Sequence, residues 1–137
     1  MNTKRMALAS LAVFGVFFVV DGVVNNVLLT DLYKQTASVW RPEREIMGNL
    51  WLMWLGTLIL APLFVLIYAK GYETNKPGLS QGIRYGLIVG VVLFAPQCLS
   101  WYAVLPIPAV LSLWWFVAGM VESVVAGAVT GIIYRPA

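Results

Sequence analysis

The sequence contains no histidine and a single cysteine, Cys98. The first absence removes Ser-His-Asp and Cys-His catalysis, imidazole-ligated haem and His-containing zinc sites. The second removes any intrachain disulfide and every paired-cysteine metal motif. No glycine-rich loop suited to cradling phosphates occurs. A non-catalytic chain without metal or cofactor is therefore expected. Charge is also scarce: 11% of the 137 residues are Asp, Glu, Lys or Arg, against about a quarter in soluble domains. The net charge of +3 is too small and too scattered to argue for nucleic acid. A chain so short of polar cover has lipid as its solvent over much of its length, and membrane lipids are its first expected partner.

Hydrophobic residues make up 61% of the chain. They fall into four unbroken apolar runs, about 6–29, 46–69, 84–105 and 108–134, each long enough to cross a bilayer as a helix. Unbroken apolarity, without the alternation of barrel strands, favours helix over strand. The expected fold is all-α: one integral membrane domain over residues 1–137, with four transmembrane helices in a compact bundle. The first run follows Lys4-Arg5 but is interrupted by Asp21 and meets no convincing cleavage site, so it is expected to be a retained span rather than a secretory signal. Pro62 and Pro96 lie inside the second and third runs, where each removes one backbone hydrogen bond and invites a kink.

Orientation follows from the basic residues. With four spans, Lys4, Arg5, Lys70, Lys76, Arg84 and Arg135 share one side. Lys34, Arg41 and Arg44 share the other, diluted by Asp31, Glu43 and Glu45. The richer side is expected to be cytoplasmic and to carry both termini. The aromatics sort the same way. Trp40, Trp51, Trp54, Trp101, Trp114 and Trp115 map to the outer half, and Tyr68, Tyr72, Tyr85 and Tyr134 to the inner boundary. In the outer segment 31–45, Leu32, Tyr33, Thr36, Val39 and Trp40 recur at helical spacing opposite a polar face. This predicts a short interfacial helix ended by Pro42. Residues 71–81 read as a polar inner loop turning at Pro77-Gly78.

Two constellations stand out. Small residues recur every fourth position: Gly82, Gly86 and Gly90 in the third helix, and Gly119, Ser123, Gly127 and Gly131 in the fourth. Lipid tails are as apolar as leucine, so membrane helices associate by close backbone approach, which such rows allow within one chain or between copies. The second constellation is polar. Asp21 and Asn25 lie one turn apart on the first helix, with Thr57 on the second, Gln97 on the third and Glu122 on the fourth. At ~1.5 Å rise per residue, the last three lie roughly 18–20 Å from the cytoplasmic ends and Asp21 slightly further. A carboxylate at such depth costs at least ~2.5–3.5 kcal/mol, so these groups are expected to face each other, water or a ligand. Gln97, seven residues after Gly90, is expected on the glycine face.

Thr30-Asp31-Leu32-Tyr33-Lys34, Trp40-Arg41-Pro42-Glu43, Tyr72-Glu73 and Gln81-Gly82-Ile83-Arg84-Tyr85-Gly86 together resemble an uncharacterised family of small bacterial four-helix integral membrane proteins. The likeness runs over most of the chain from Thr30 onward. It implies a bacterial inner membrane and carries no activity or site residues. Two functions remain open: transport or binding of a small molecule or ion through the polar layer, by a homo-oligomer, or service as an accessory subunit or assembly factor beside partner membrane subunits.

Overall fold

The computed structural model describes residues 2–136, so Met1 and Ala137, the two ends of the single domain read from the sequence, lie outside the described residues. The chain is all-α. Helix α1 spans Thr3–Val23 and continues into a π-helical turn, Val24–Leu28. A short α2, Thr30–Gln35, is followed by a 3₁₀ turn, Ala37–Val39. Then come α3 (Glu43–Lys70), α4 (Gly78–Val104) and α5 (Ala109–Ile133). Four helical stretches, Thr3–Leu28, Glu43–Lys70, Gly78–Val104 and Ala109–Ile133, are long and apolar enough to cross a membrane.

Three of the four long helices, α1, α3 and α4, begin earlier than their apolar runs because their first turns, polar or proline-led, are helical too. Asn2 caps α1 by accepting from the Arg5 N–H at 3.2 Å, so this helix starts at Thr3 rather than near residue 6. The expected loop over 71–81 is shorter, since α4 starts at Gly78 with Pro77 in the cap position. A proline is tolerated there because the first N–H groups of a helix have no intrahelical acceptor. Both α3 and α4 run unbroken through Pro62 and Pro96.

The outer segment departs from the sequence expectation. Its helix stops at Gln35 rather than at Pro42. The Thr36 hydroxyl donates to the Leu32 carbonyl at 2.8 Å and accepts from the Trp40 indole at 2.9 Å. Such bonds compete with regular helix continuation. The apolar face is nonetheless used as a face. Leu32, Tyr33, Val39 and Trp40 pack with Trp115 around the buried Leu29, Ile107 and Leu111.

The N- and C-terminal ends lie side by side: the Arg5 guanidinium donates to the Ile133 carbonyl at 3.1 Å, a cation on the negative end of α5. At this terminal end Tyr68 makes edge-on contacts with Tyr72, Tyr85 and Tyr134, at ring separations of 5.9, 5.4 and 6.1 Å. At the opposite, distal end Trp115 contacts Trp40 and Trp101 at 6.0 and 5.3 Å. Between them lies an apolar core of Ala9, Val13 and Phe17 from α1, Ala61, Phe64 and Val65 from α3, and Ala126 from α5. Tyr85 joins α4 to α3 by donating to the Phe64 carbonyl at 2.6 Å.

The α4–α5 interface is the most intimate. A Cβ placed on Gly82 would collide with the Gly127 carbonyl, one on Gly86 with that of Ser123, and one on Gly78 with that of Gly131. The rows of small residues thus meet backbone to backbone within one chain, and Gly78 extends the row by a turn because α4 begins there. Gly119 accommodates the Phe94 ring instead, and Gly90 faces Met120 and Ser123.

Candidate functional site

The five polar candidates end up in different surroundings. Glu122 is the most enclosed, 5% exposed. It sits on the buried α5 row that includes Ala126 and Thr130, one turn to the distal side of the apolar core. Its Oε1 is sealed from solvent, and no described protein group hydrogen-bonds to it. The Ser123 hydroxyl oxygen beside it is also buried without a partner, but it points across to Gly90 of α4.

Asp21 lies across the α1–α5 contact, within coulombic range of Glu122 and of Tyr33. As a residue Asp21 is exposed on the chain's surface, and its backbone carbonyl accepts from the Asn25 amide at 2.9 Å. Asn26 repeats this bond on the Gly22 carbonyl, also at 2.9 Å. Both asparagines lie in the π-helical turn, where their side-chain amides bond carbonyls of the preceding turn; the Asp21 carbonyl also accepts from the Val24 N–H. The Asn25 side-chain oxygen in turn accepts from the Tyr33 hydroxyl at 2.6 Å, and Tyr33 accepts from the Trp115 indole at 2.8 Å. A polar file therefore runs from Trp115 at the distal surface through Tyr33 and Asn25 to the Asp21 backbone carbonyl. Burial holds the Tyr33 phenol above its ordinary titration range, and the indole bond opposes that shift. Tyr33 is therefore a neutral donor at ordinary pH.

Thr57 and Gln97 do not join this file. The Thr57 hydroxyl turns back on its own helix, donating to the Met53 carbonyl at 3.1 Å. Gln97 is exposed, and Cys98 takes the buried position instead. The reason is geometric. The α4 contact follows the i+4 row Gly82, Gly86, Gly90, Phe94 and Cys98, which drifts by about 40° at each step, so a residue seven past Gly90 is left outside.

Sequence reasoning missed Tyr33 and Trp115 as members of the file, because 82 residues separate them and neither carries a formal charge. It also missed Gln81, a buried side chain that holds the loop before α4. Its amide accepts from the Glu73 N–H at 2.9 Å and donates to the Glu73 and Lys76 carbonyls, each at 2.8 Å. Glu73 is paired with Lys76 and, at 3.0 Å, with Arg84. The Lys76 ammonium, and then the Arg84 guanidinium, hold its carboxyl below the usual range.

Among the described residues no group of three or more Asp, Glu or Cys side chains is placed to hold a metal ion. No family model, curated protein or solved structure matches this chain. The site's chemistry therefore rests on its own geometry: a buried carboxyl group with an unfilled acceptor, a second acid within coulombic range, and a file of indole, hydroxyl and amide groups that reaches the second acid's backbone.

Proposed function

We propose that this chain is a multi-pass protein of a bacterial inner membrane that binds a small cation, the proton being the simplest, at Glu122. In this reading the four long helices form one bundle, both termini are cytoplasmic and α2 lies along the outer surface. The observation that carries the function is the Glu122 Oε1 atom, enclosed without a hydrogen-bond donor and within range of a second acid. A buried acceptor left unpaired costs about 1–3 kcal/mol. A proton or monovalent cation shared with Asp21 would remove that cost and the repulsion between the two acids together.

The direction of access follows from the surroundings. On the outer side the oxygens of Asp21, Asn25 and Tyr33 offer acceptors to an incoming cation, with the Trp115 indole holding the Tyr33 hydroxyl in place. On the cytoplasmic side Val13, Phe17, Phe64, Val65 and Ala126, all buried, form an apolar plug. The site therefore exchanges with the outer side. Transport requires that plug to open.

A hydrophobic carbodiimide, which attacks undissociated carboxyl groups, tests this reading. Peptide mapping should find Glu122 modified ahead of the exposed Asp31 and Glu45, and a bound cation should slow the reaction. Modification that spares Glu122 would rule the site out.

A second reading, a non-catalytic accessory subunit or assembly factor, is favoured by α3. Over Glu43–Ile59 nearly all its residues are exposed, among them Met47, Trp51, Met53 and Leu58. Gln97 is exposed at membrane depth, where an uncovered amide is costly. Another membrane subunit or a second copy would cover both. Purification in mild detergent separates the readings: foreign subunits in fixed proportion favour the accessory role.

A further inference from the structure

The terminal end of the molecule carries two shallow grooves that share Pro77 and Leu79 in their linings. One, of about 420 Å³, is lined by Tyr72, Gly78, Gly131, Ile132 and Arg135 in addition to the shared pair. The other, of about 450 Å³, is lined by Ser80, Ile83, Arg84 and Leu87 in addition to that pair. The first lies at the membrane surface in the proposed topology, where the basic Arg135 and the Tyr72 ring flank it. The second descends α4 along Leu79, Ile83 and Leu87, three exposed apolar side chains one turn apart. Polar at the surface and apolar towards the membrane centre, the two adjacent grooves together have the polarity of one lipid molecule.

We propose that these adjacent grooves bind an anionic phospholipid of the cytoplasmic leaflet, its phosphate at Arg135 and one acyl chain along Leu79, Ile83 and Leu87. Charge complementarity selects the anionic class. This face carries Lys4, Arg5, Lys70, Lys76, Arg84 and Arg135 against one acid, Glu73. Glu73 is engaged by Lys76 and Arg84, whereas Arg135 has no acidic partner among the described residues. The apolar descent along α4 selects a lipid over free phosphate, which would leave Ile83 and Leu87 without a role. Arg84 stands beside the chain groove, near enough to the surface to meet the glycerol region. The Tyr72 ring, edge-on to Tyr134 at 5.7 Å, gives the headgroup groove a fixed wall. Loss of the headgroup cation should weaken binding about fivefold, the effect expected of one basic side chain at an anionic surface.

The inference rests on the transmembrane reading and is independent of the cation site. The test uses the full chain purified in a mild non-ionic detergent, with native mass spectrometry counting bound lipid. Dioleoyl-phosphatidylglycerol, dioleoyl-phosphatidylcholine and inorganic phosphate are the probes. The wild type should retain one phosphatidylglycerol in preference to phosphatidylcholine, and phosphate should not displace it. Arg135→Gln should weaken retention about fivefold, and Lys70→Gln, on the same face outside the grooves, should not. Equal retention of the two lipids, displacement by phosphate, or the same loss in Lys70→Gln would each overturn the proposal. A chain that stayed in solution without detergent would overturn the transmembrane reading itself, and the two failures are distinguishable.

Discussion

The indole N–H of Trp115 donates to the hydroxyl oxygen of Tyr33, which donates onward to the Asn25 side chain. One phenol therefore ties the first turns of α5 to α2 and to the π-helical end of α1. Tyr33→Phe keeps the ring and its edge-on contact with Trp40 but leaves an indole and an amide oxygen without partners. The expected cost is about 1–3 kcal/mol, read as a lower melting temperature in detergent with a changed Trp emission. Unchanged melting would show that the file is not a structural tie.

The α4–α5 contact makes a sharper prediction, because its glycines oppose carbonyl groups that cannot move aside. Gly82→Ala or Gly127→Ala should cost about 1–3 kcal/mol or more through overpacking. Gly56→Ala meets nothing within 4 Å and should be neutral or stabilising, since alanine is the better helix former. Melting the three variants side by side in one detergent checks this. Equal effects would contradict the glycine contact.

The loop before α4 should loosen in acid. The folded Glu73 carboxyl titrates below its ordinary value because Lys76 and Arg84 favour its charged form. Its contribution is therefore present above the unfolded carboxylate pKa and is lost as pH falls through the lower folded value. Amide hydrogen exchange over residues 72–77, corrected for its intrinsic pH dependence, should speed up in that acid window. Glu73→Gln should be fast throughout and lose the pH dependence. Gln81→Ala should loosen the same residues at every pH.

Topology is open to a direct check. A reporter active only outside the cytoplasm is expected to be silent when fused after the last residue and active when inserted between Thr36 and Trp40. The reverse pattern would invert the assignment of sides.

The long helices were legible because unbroken apolarity over some twenty residues has few other physical meanings. Their starts were less so, because Thr3, Glu43 and Gly78 begin first turns that are polar or proline-led, and hydropathy does not register caps. The glycine rows could be read because close approach needs small side chains at a fixed spacing. Gln97 could not be placed from spacing alone: whether a contact follows the i+4 or the i+7 row depends on how two helices cross, and that is a tertiary property. Trp115 was read as a girdle aromatic and Tyr33 as part of the interfacial helix's apolar face, and their polar atoms gained meaning only when α2 folded back over α5. Glu122 was legible as a buried acid from its depth and its small neighbours Ala118 and Ala126. Its unfilled oxygen was not, because that depends on what α1 brings opposite it.

In the proposed function the Glu122 carboxyl exchanges a cation with the outer side. Infrared difference spectroscopy of the reconstituted chain measures this most directly, by following carboxyl absorption as pH or alkali-metal concentration is changed. A carboxyl band that responds to the cation is expected in the wild type and in Asp31→Asn, and should be lost in Glu122→Gln. A response that persists in Glu122→Gln, or no response in the wild type, would contradict it.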